Sequence, residues 1–428
     1  MRFFPHRPTA GPSSATFSAL LAHRSRRAAF GAGLVAALLT ATACTAVVDG
    51  TAQRPPGESS GPSVDVALLD TGNYATLPVP PMGVAGSPAK GGLIEAGRMA
   101  DHVVGPWEVN PELSHFVMPT SIVKDVAALK MLLPEKVAAA AAKHNFVTGF
   151  SSARRTEPDR ASLVNAVLRF PDPQAAAAAA AEFGDITLQP DLMDYVPQAR
   201  PVSVREHPET RASTYDLPQL GSPIMETNVN AYTAHGPFVL VQSAESPDGV
   251  DPTADMVAKT LDQQIAAIDA FTPTAVSELA NLPVDASGVL ARTVPEIKEN
   301  PPPGVNQTYG PHAAPHFQTF PQTSAELFAD TGMDVWSRGR AAVYRVRDEQ
   351  SAANMLEQFA TELTDAKGQA VASVPNMPDS RCIRREAQLS TYVTCFAVAD
   401  RYVIEAASPQ PTDAHQLTAA QYVMLTAA

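Results

Sequence analysis

Residues 161–183, ASLVNAVLRFPDPQAAAAAAAEF, align without gaps with residues 337–359, SRGRAAVYRVRDEQSAANMLEQF. In both segments an apolar stretch is followed by an aspartate, Asp172 or Asp348, and then by helix-forming residues. An aspartate at that point can accept hydrogen bonds from the free N–H groups of a first helical turn. Pro173 suits the next position, because the first helical residue needs no N–H donor. Each segment therefore predicts a strand that leads directly into a helix.

A second pair of similar segments follows in the same order. Residues 230–268 resemble residues 394–425, and both predict two strands joined by a tight turn and followed by a helix. In the earlier segment Val257, Leu261 and Ile265 recur every four residues, a spacing that places them on one helix face. Helices are also expected ahead of the two copies, at residues 134–146 and 323–332.

The two matched blocks predict an internal duplication within an α+β fold. We expect two related modules, at residues 93–275 and 323–428, each an antiparallel sheet with helices packed on one face. A Pro-rich connection, residues 276–322, would join them. Equivalent modules often pack as a pseudo-dimer, so the groove between them is the expected binding surface.

The N-terminus predicts export. Residues 1–43 contain five arginines and no acidic residue, and residues 28–43 are mostly small and apolar. This pattern is typical of a secretory signal peptide, and the apolar run is shorter than the roughly 20 residues that span a bilayer. The pair Arg26–Arg27 leaves both general secretion and twin-arginine export open.

The cysteines predict an anchor and a disulfide. The chain has three, Cys44, Cys382 and Cys395, and an odd cysteine in an exported protein needs an explanation. If Cys44 carries a diacylglycerol, the other two remain as a pair, and residues 44–92 form a Pro/Gly/Ser-rich tether. Ala41 stands where a lipidation motif usually has Leu, Val or Ile. Ordinary cleavage, giving a secreted protein with a free thiol, is therefore the alternative.

Several classes of function find no support in the sequence. The net charge is −13, which argues against a nucleic-acid-binding surface. The segment GFSSA at residues 149–153 lacks the second glycine of a nucleophile elbow. His312 and His316 are four residues apart but lie among prolines, so we expect a surface loop and not a metal site. No cofactor and no catalytic residues are expected.

Four segments resemble a known group of proteins. They are CTAVVDGTA after the signal, VDVALLDTGNYATLP at 64–78, LIEAGRMADHVVGPWEVNP at 93–111 and AAQYVML at 419–425. Together they are similar to actinobacterial cell-envelope lipoproteins, best known from mycobacteria and their relatives. The resemblance implies a lipid-anchored envelope protein built from domains of unknown function, and it brings no catalytic residues with it.

These observations predict a lipoprotein on the outer face of the cytoplasmic membrane, anchored through Cys44. We expect it to bind an envelope protein, a lipid or a wall component without transforming it. An envelope hydrolase with a non-standard site is one alternative. A structural or assembly factor without a small-molecule ligand is another.

Overall fold

The computed structural model describes residues 64–427, apart from positions 119, 159, 191, 193–195, 220, 299, 300, 388 and 389. The predictions for the signal peptide, the Cys44 anchor and the first part of the tether lie outside these residues. Within the described part, no helix combines the length and the apolar character that crossing a bilayer requires.

Each module combines a sheet with several helices. The helices are α1 (Pro88–Ala100), α2 (Pro106–Val109), α3 (Val126–Leu129), α4 (Glu135–Lys143), α5 (Pro173–Thr187) and α6 (Val250–Asp269) in the first module, and α7 (Pro321–Thr331), α8 (Glu349–Asp365) and α9 (Pro411–Thr426) in the second. The strands are β1 (His115–Phe116), β2 (Ser121–Val123), β3 (Thr148–Arg155), β4 (Ser162–Arg169), β5 (Arg200–Pro201), β6 (Arg211–Pro218), β7 (Met225–His235) and β8 (Phe238–Ser246), then β9 (Gln307–Tyr309), β10 (Val335–Arg338), β11 (Ala342–Arg345), β12 (Gln369–Val371), β13 (Arg381–Ala387), β14 (Ser390–Ala399) and β15 (Tyr402–Ser408).

The two sheets share one topology. The first has the order β1-β3-β4-β8-β7-β6-β5, with β2 also paired to β3, and the second has the order β12-β13-β14-β15-β11-β10-β9. When β3 is matched to β10, the spatial order β3-β4-β8-β7-β6-β5 of the first sheet corresponds strand by strand to the order β10-β11-β15-β14-β13-β12 of the second. The strand pairs are antiparallel in both sheets. The predicted α+β fold with two related modules is therefore confirmed.

Strand register supports both sequence alignments. Arg169 lies opposite Phe238 in the first sheet, and Arg345 lies opposite Tyr402 in the second. These are the residues that the two alignments match to each other. The junctions between strand and helix also agree, because the side chains of Asp172 and Asp348 each accept a hydrogen bond of 2.8 Å from a first-turn N–H.

Helices cover both faces of each sheet, so the expectation of one covered face is wrong. In β8, Val239 and Val241 pack with α4 and α5, whereas the intervening Leu240 packs with α1 and α6. In the second module α8 covers one face and α9 the other. The reason is that these strands carry apolar side chains at consecutive positions, and each face must be removed from water.

The modules are joined by a continuous apolar core instead of a groove. Phe150 of the first sheet contacts Phe317, which contacts Trp336, and Trp336 stacks on Tyr344 of the second sheet. The joined faces are the α6 face of the first sheet and the α8 face of the second. In the duplication α6 corresponds to α9, whereas α8 corresponds to α5. The two sheets therefore meet through faces that are not equivalent. The expected pseudo-dimer with an open groove is therefore wrong.

The predicted connection and part of the predicted tether are also folded. Residues 276–322 contain β9, which extends the second sheet, and the short 3-10 helix Ala314–Phe317, which is mostly buried. From Val64 onward, the predicted tether packs on the second module. Leu69 lies against its core, and the Tyr74 hydroxyl donates to Asp413 at 2.7 Å. A free tether is therefore wrong for residues 64–92.

Candidate functional site

A pocket of about 310 Å³ opens beside the second sheet. Its floor comes from β11 and β15, and its walls from β10, the β10–β11 turn and the segment that joins the modules. The residues on which its chemistry depends are Phe317, Gln318, Trp336, Arg338, Tyr344 and Glu405. The pocket thus combines three aromatic rings, one acidic side chain and two arginines, of which Arg340 is paired with Asp413 at 3.1 Å.

The other arginine, Arg338, lies at the end of β10. Its guanidinium carbon lies 5.1 Å from the centroid of the Phe317 ring and 5.8 Å from that of Trp336. These distances fit cation–π contacts, which hold the guanidinium over the rings without neutralising it. Within the described ranges, no carboxylate lies at ion-pair distance from Arg338.

Trp336 contributes a donor without an acceptor. The residue is 4% exposed, and its Nε1 has no hydrogen-bond partner in the described part of the chain. A buried donor left unpaired costs about 1–3 kcal/mol. Trp336 lines the pocket, but Nε1 itself is buried, so the residue contributes the surface of its ring.

Glu405 provides the acidic group from β15. Its carboxylate accepts a hydrogen bond of 2.7 Å from the Tyr344 hydroxyl, which in turn accepts one of 3.0 Å from Gln318 Nε2. Burial raises the pKa of Glu405, although the Tyr344 hydrogen bond and the charge of Arg338 oppose this effect. Burial and the adjacent carboxylate raise the pKa of Tyr344 well above its ordinary value, so the hydroxyl stays protonated and can donate.

The first module lacks this chemistry at the same positions. Ala342 lies opposite Glu405 in the second sheet, and the corresponding pair in the first sheet is Ala166 opposite Val241. Tyr344 likewise corresponds to Leu168. The duplicated scaffold therefore carries a polar pocket in its second copy and an apolar packing surface in its first.

Comparison with known proteins gives a family but no activity. Residues 82–284 match a model described as the N-terminal domain of unknown function DUF7373, and residues 289–428 match its C-terminal counterpart. The chain carries both DUF7373 domains. Their boundary at 284–289 falls inside the predicted connection, so the C-terminal domain begins before α7 and includes β9.

The remaining comparisons add little. No curated protein matches the chain. Among solved structures, the chain is similar to the extracellular domain of PknH from Mycobacterium tuberculosis, at 14% identity and a TM-score of 0.25. That match covers 38% of this chain and 92% of the PknH domain.

An arginine of the N-terminal DUF7373 domain fixes one wall of the pocket. Arg154 on β3 is fully buried, and its guanidinium donates to the carbonyls of His316 and Gln318 at 2.8 and 2.9 Å. Burial lowers the pKa of Arg154 to about 10, which leaves it charged at neutral pH. The bonds hold the segment that places Phe317 and Gln318 in the pocket.

The structure also brings together Ser152 and His316, a pair that no pattern in the sequence predicts. His316 is fully buried, so the surface-loop prediction is wrong for it; His312, on the same segment, is part-exposed and bonds Glu108 at 3.1 Å. Nε2 of His316 donates to the Val103 carbonyl at 3.0 Å, so Nδ1 accepts from the Ser152 hydroxyl at 2.8 Å. Both side chains are 0% exposed. The pair therefore joins the two domains from within the core and has no opening toward a substrate.

The cysteines form the disulfide that their number predicts. Cys382 and Cys395 lie opposite each other on β13 and β14, with their sulfurs bonded at 2.02 Å. A ring nitrogen of His415 lies within 4.8 Å of both sulfurs. Since the sulfurs are bonded to each other, they are not thiolates that could bind a metal ion.

The sequence analysis missed Glu405, Arg338 and Trp336 as functional residues. One signal was available for Glu405. In the alignment of residues 230–268 with residues 394–425, its partner is Val241, so an acidic residue occupies an inward-facing strand position. Arg338 and Trp336 carried no such signal, because their importance depends on what the rest of the fold places around them.

Proposed function

We propose that this protein is an exported envelope lipoprotein, anchored through Cys44, whose C-terminal DUF7373 domain binds a small ligand. The observation that carries the binding role is the guanidinium of Arg338, which lies over the rings of Phe317 and Trp336 and has no carboxylate at ion-pair distance among the described residues. Arg338 lines a pocket walled by aromatic rings, which suit the apolar body of a small molecule. The ligand would be a component of the envelope, not a nucleic acid.

Export and anchoring rest on the sequence of the leader and on the cysteines. A disulfide between Cys382 and Cys395 is expected to persist only in an oxidising compartment, which agrees with export. An acidic chain gains little from anionic lipid headgroups. An acyl anchor would therefore have to supply the attachment to the membrane by itself.

Intact mass spectrometry of the membrane-extracted protein tests the anchor. We expect the mass of residues 44–428 plus acyl chains, and a gain of two hydrogens on reduction. A bare polypeptide mass beginning at Cys44, recovered from the culture medium, would contradict anchoring and leave a freely diffusing secreted protein.

Native mass spectrometry of the purified protein tests binding. We expect a non-covalent small molecule to copurify with the wild type and to be lost from Ala342→Phe, which places a ring in the pocket. Ala370→Phe, at an exposed position of β12, is the matched control and should retain the molecule. Equal occupancy in the two variants would show that the pocket is not the binding site.

A further inference from the structure

Resting on the proposed function, we infer that the pocket selects a small zwitterionic ligand, an amino-acid-type molecule with an acidic group at Arg338 and an amino group at Glu405. The carboxylate would accept from the guanidinium, and the ammonium would donate to Glu405. Phe317 and Tyr344 would contact the apolar part between the two groups.

The two charges of the pocket do not neutralise each other. Arg338 and Glu405 both line the pocket, and the charge of Arg338 opposes the rise that burial causes in the pKa of Glu405, yet the two form no ion pair among the described residues. Glu405 has a hydrogen bond from Tyr344 but no cation within ion-pair distance in the same part of the chain. Two opposite charges separated by an open space call for a ligand that compensates both.

Singly charged ligands are disfavoured by the same arrangement. A plain carboxylate bound to Arg338 leaves Glu405 uncompensated and adds a like charge near it, and a plain amine does the same to Arg338. Repulsion between like charges a few ångströms apart is stronger in a partly buried pocket than in water, because the effective dielectric is lower. Repulsion of the wrong ligand contributes to specificity as much as attraction of the right one.

Isothermal titration calorimetry with matched probes tests this selectivity. The zwitterions are phenylalanine, with adjacent charges, and 4-(aminomethyl)benzoate, with charges at opposite ends of a ring. The analogues with one charge are 4-methylbenzoate and 4-methylbenzylamine. We expect at least one zwitterion to bind about tenfold or more tightly than both analogues, since each charge-assisted hydrogen bond lost leaves a partner unpaired.

Two variants assign the charges to the two ends of the ligand. Arg338→Gln should reduce the affinity for the zwitterion to about that of the amine analogue, and Glu405→Gln should reduce it to about that of the carboxylate analogue. Arg347→Gln is the control, because Arg347 is exposed, bonds Asp348 and does not line the pocket. Urea denaturation of each variant checks that the fold is intact.

The possible results separate this inference from the function on which it rests. If a single-charge analogue binds as tightly as both zwitterions and Ala342→Phe abolishes that binding, the pocket binds ligands but the zwitterion inference is overturned. A copurified molecule with only one charged group has the same meaning. If no probe binds and nothing copurifies, both proposals are overturned.

Discussion

The two copies of the fold place an arginine at the same position in very different surroundings. Arg169 and Arg345 end two equivalent strands, β4 and β11. Arg169 Nη1 lies 2.5 Å from Glu95, and the two side chains are 4% and 0% exposed. Arg345 forms a bidentate pair with Asp334 at 2.8 and 2.9 Å, but the Asp334 side chain is 59% exposed. Replacing each arginine by methionine compares a buried ion pair with a solvated one in a single molecule.

The expected losses of stability differ by about 2 kcal/mol or more. Removing one partner of a buried pair leaves a buried charge and destabilises by about 3–5 kcal/mol. Glu95 still accepts from Arg98 and from the N–H and hydroxyl of Thr274, so Arg169→Met should fall near the lower end of that range. A largely exposed pair contributes about 0–1 kcal/mol, so Arg345→Met should have little effect.

Urea denaturation followed by circular dichroism measures both losses, with the slope of each transition used to verify that the unfolded states are comparable. The double variant Glu95→Gln/Arg169→Met should recover part of the stability, because the amide removes the buried carboxylate charge while its oxygen can still accept from Thr274. Equal losses for the two single variants would refute the reasoning. A double variant that is less stable than Arg169→Met would also contradict it.

Three further predictions concern packing, the disulfide and pH. Gly91→Ala should lower the free energy of unfolding in urea by about 2 kcal/mol, because the added Cβ would lie 2.0 Å from the backbone oxygen of Leu279. Gly92→Ala should raise it by about 0.5–1 kcal/mol, because the nearest atom to its Cβ is 3.8 Å away and alanine favours the helix. Replacing Cys382 and Cys395 by alanine should lower the free energy of unfolding by about 3 kcal/mol in urea. Burial holds the pKa of His316 well below its ordinary value, so only the unfolded chain gains a proton there below about pH 6.5. As the pH falls below about 6.5, the free energy of unfolding of the wild type should therefore decrease by up to about 1.4 kcal/mol per pH unit. In a series of urea midpoints from pH 8 to 4.5, His316→Gln should make the decrease below pH 6.5 less steep.

The order of strands and helices could be predicted from the sequence because it depends on local signals. The aspartates at 172 and 348 end a strand and begin a helix through bonds within a few residues, and these bonds are present. The burial of His316 could not be predicted in this way. Proline-rich sequence around it indicates irregular backbone, but its exposure depends on the first module packing against the second.

The pocket could not be predicted from the sequence for the same reason, because it depends on contacts between distant parts of the chain. Phe317 and Gln318 come from residues that were predicted to form a connection, whereas Trp336 and Glu405 come from two strands about 70 residues apart. No short motif in the sequence brings these three parts of the chain together. The site arises because Arg154 of the other domain fixes the connecting segment over the second sheet.

The duplication gives a physical reason why the pocket lies in the second copy. In the first copy the surface corresponding to the pocket floor carries Leu168 and Val241 and is covered by α4 and α5, so it contributes to stability through burial. In the second copy Tyr344 and Glu405 occupy those positions and line the pocket, while α7 and α8 pack on Tyr344 from the same face. Retaining an acidic residue on a partly buried sheet face destabilises the fold unless something compensates it. A ligand that brings a cation to Glu405 and an anion to Arg338 provides that compensation, so ligand binding should stabilise this domain in proportion to its concentration.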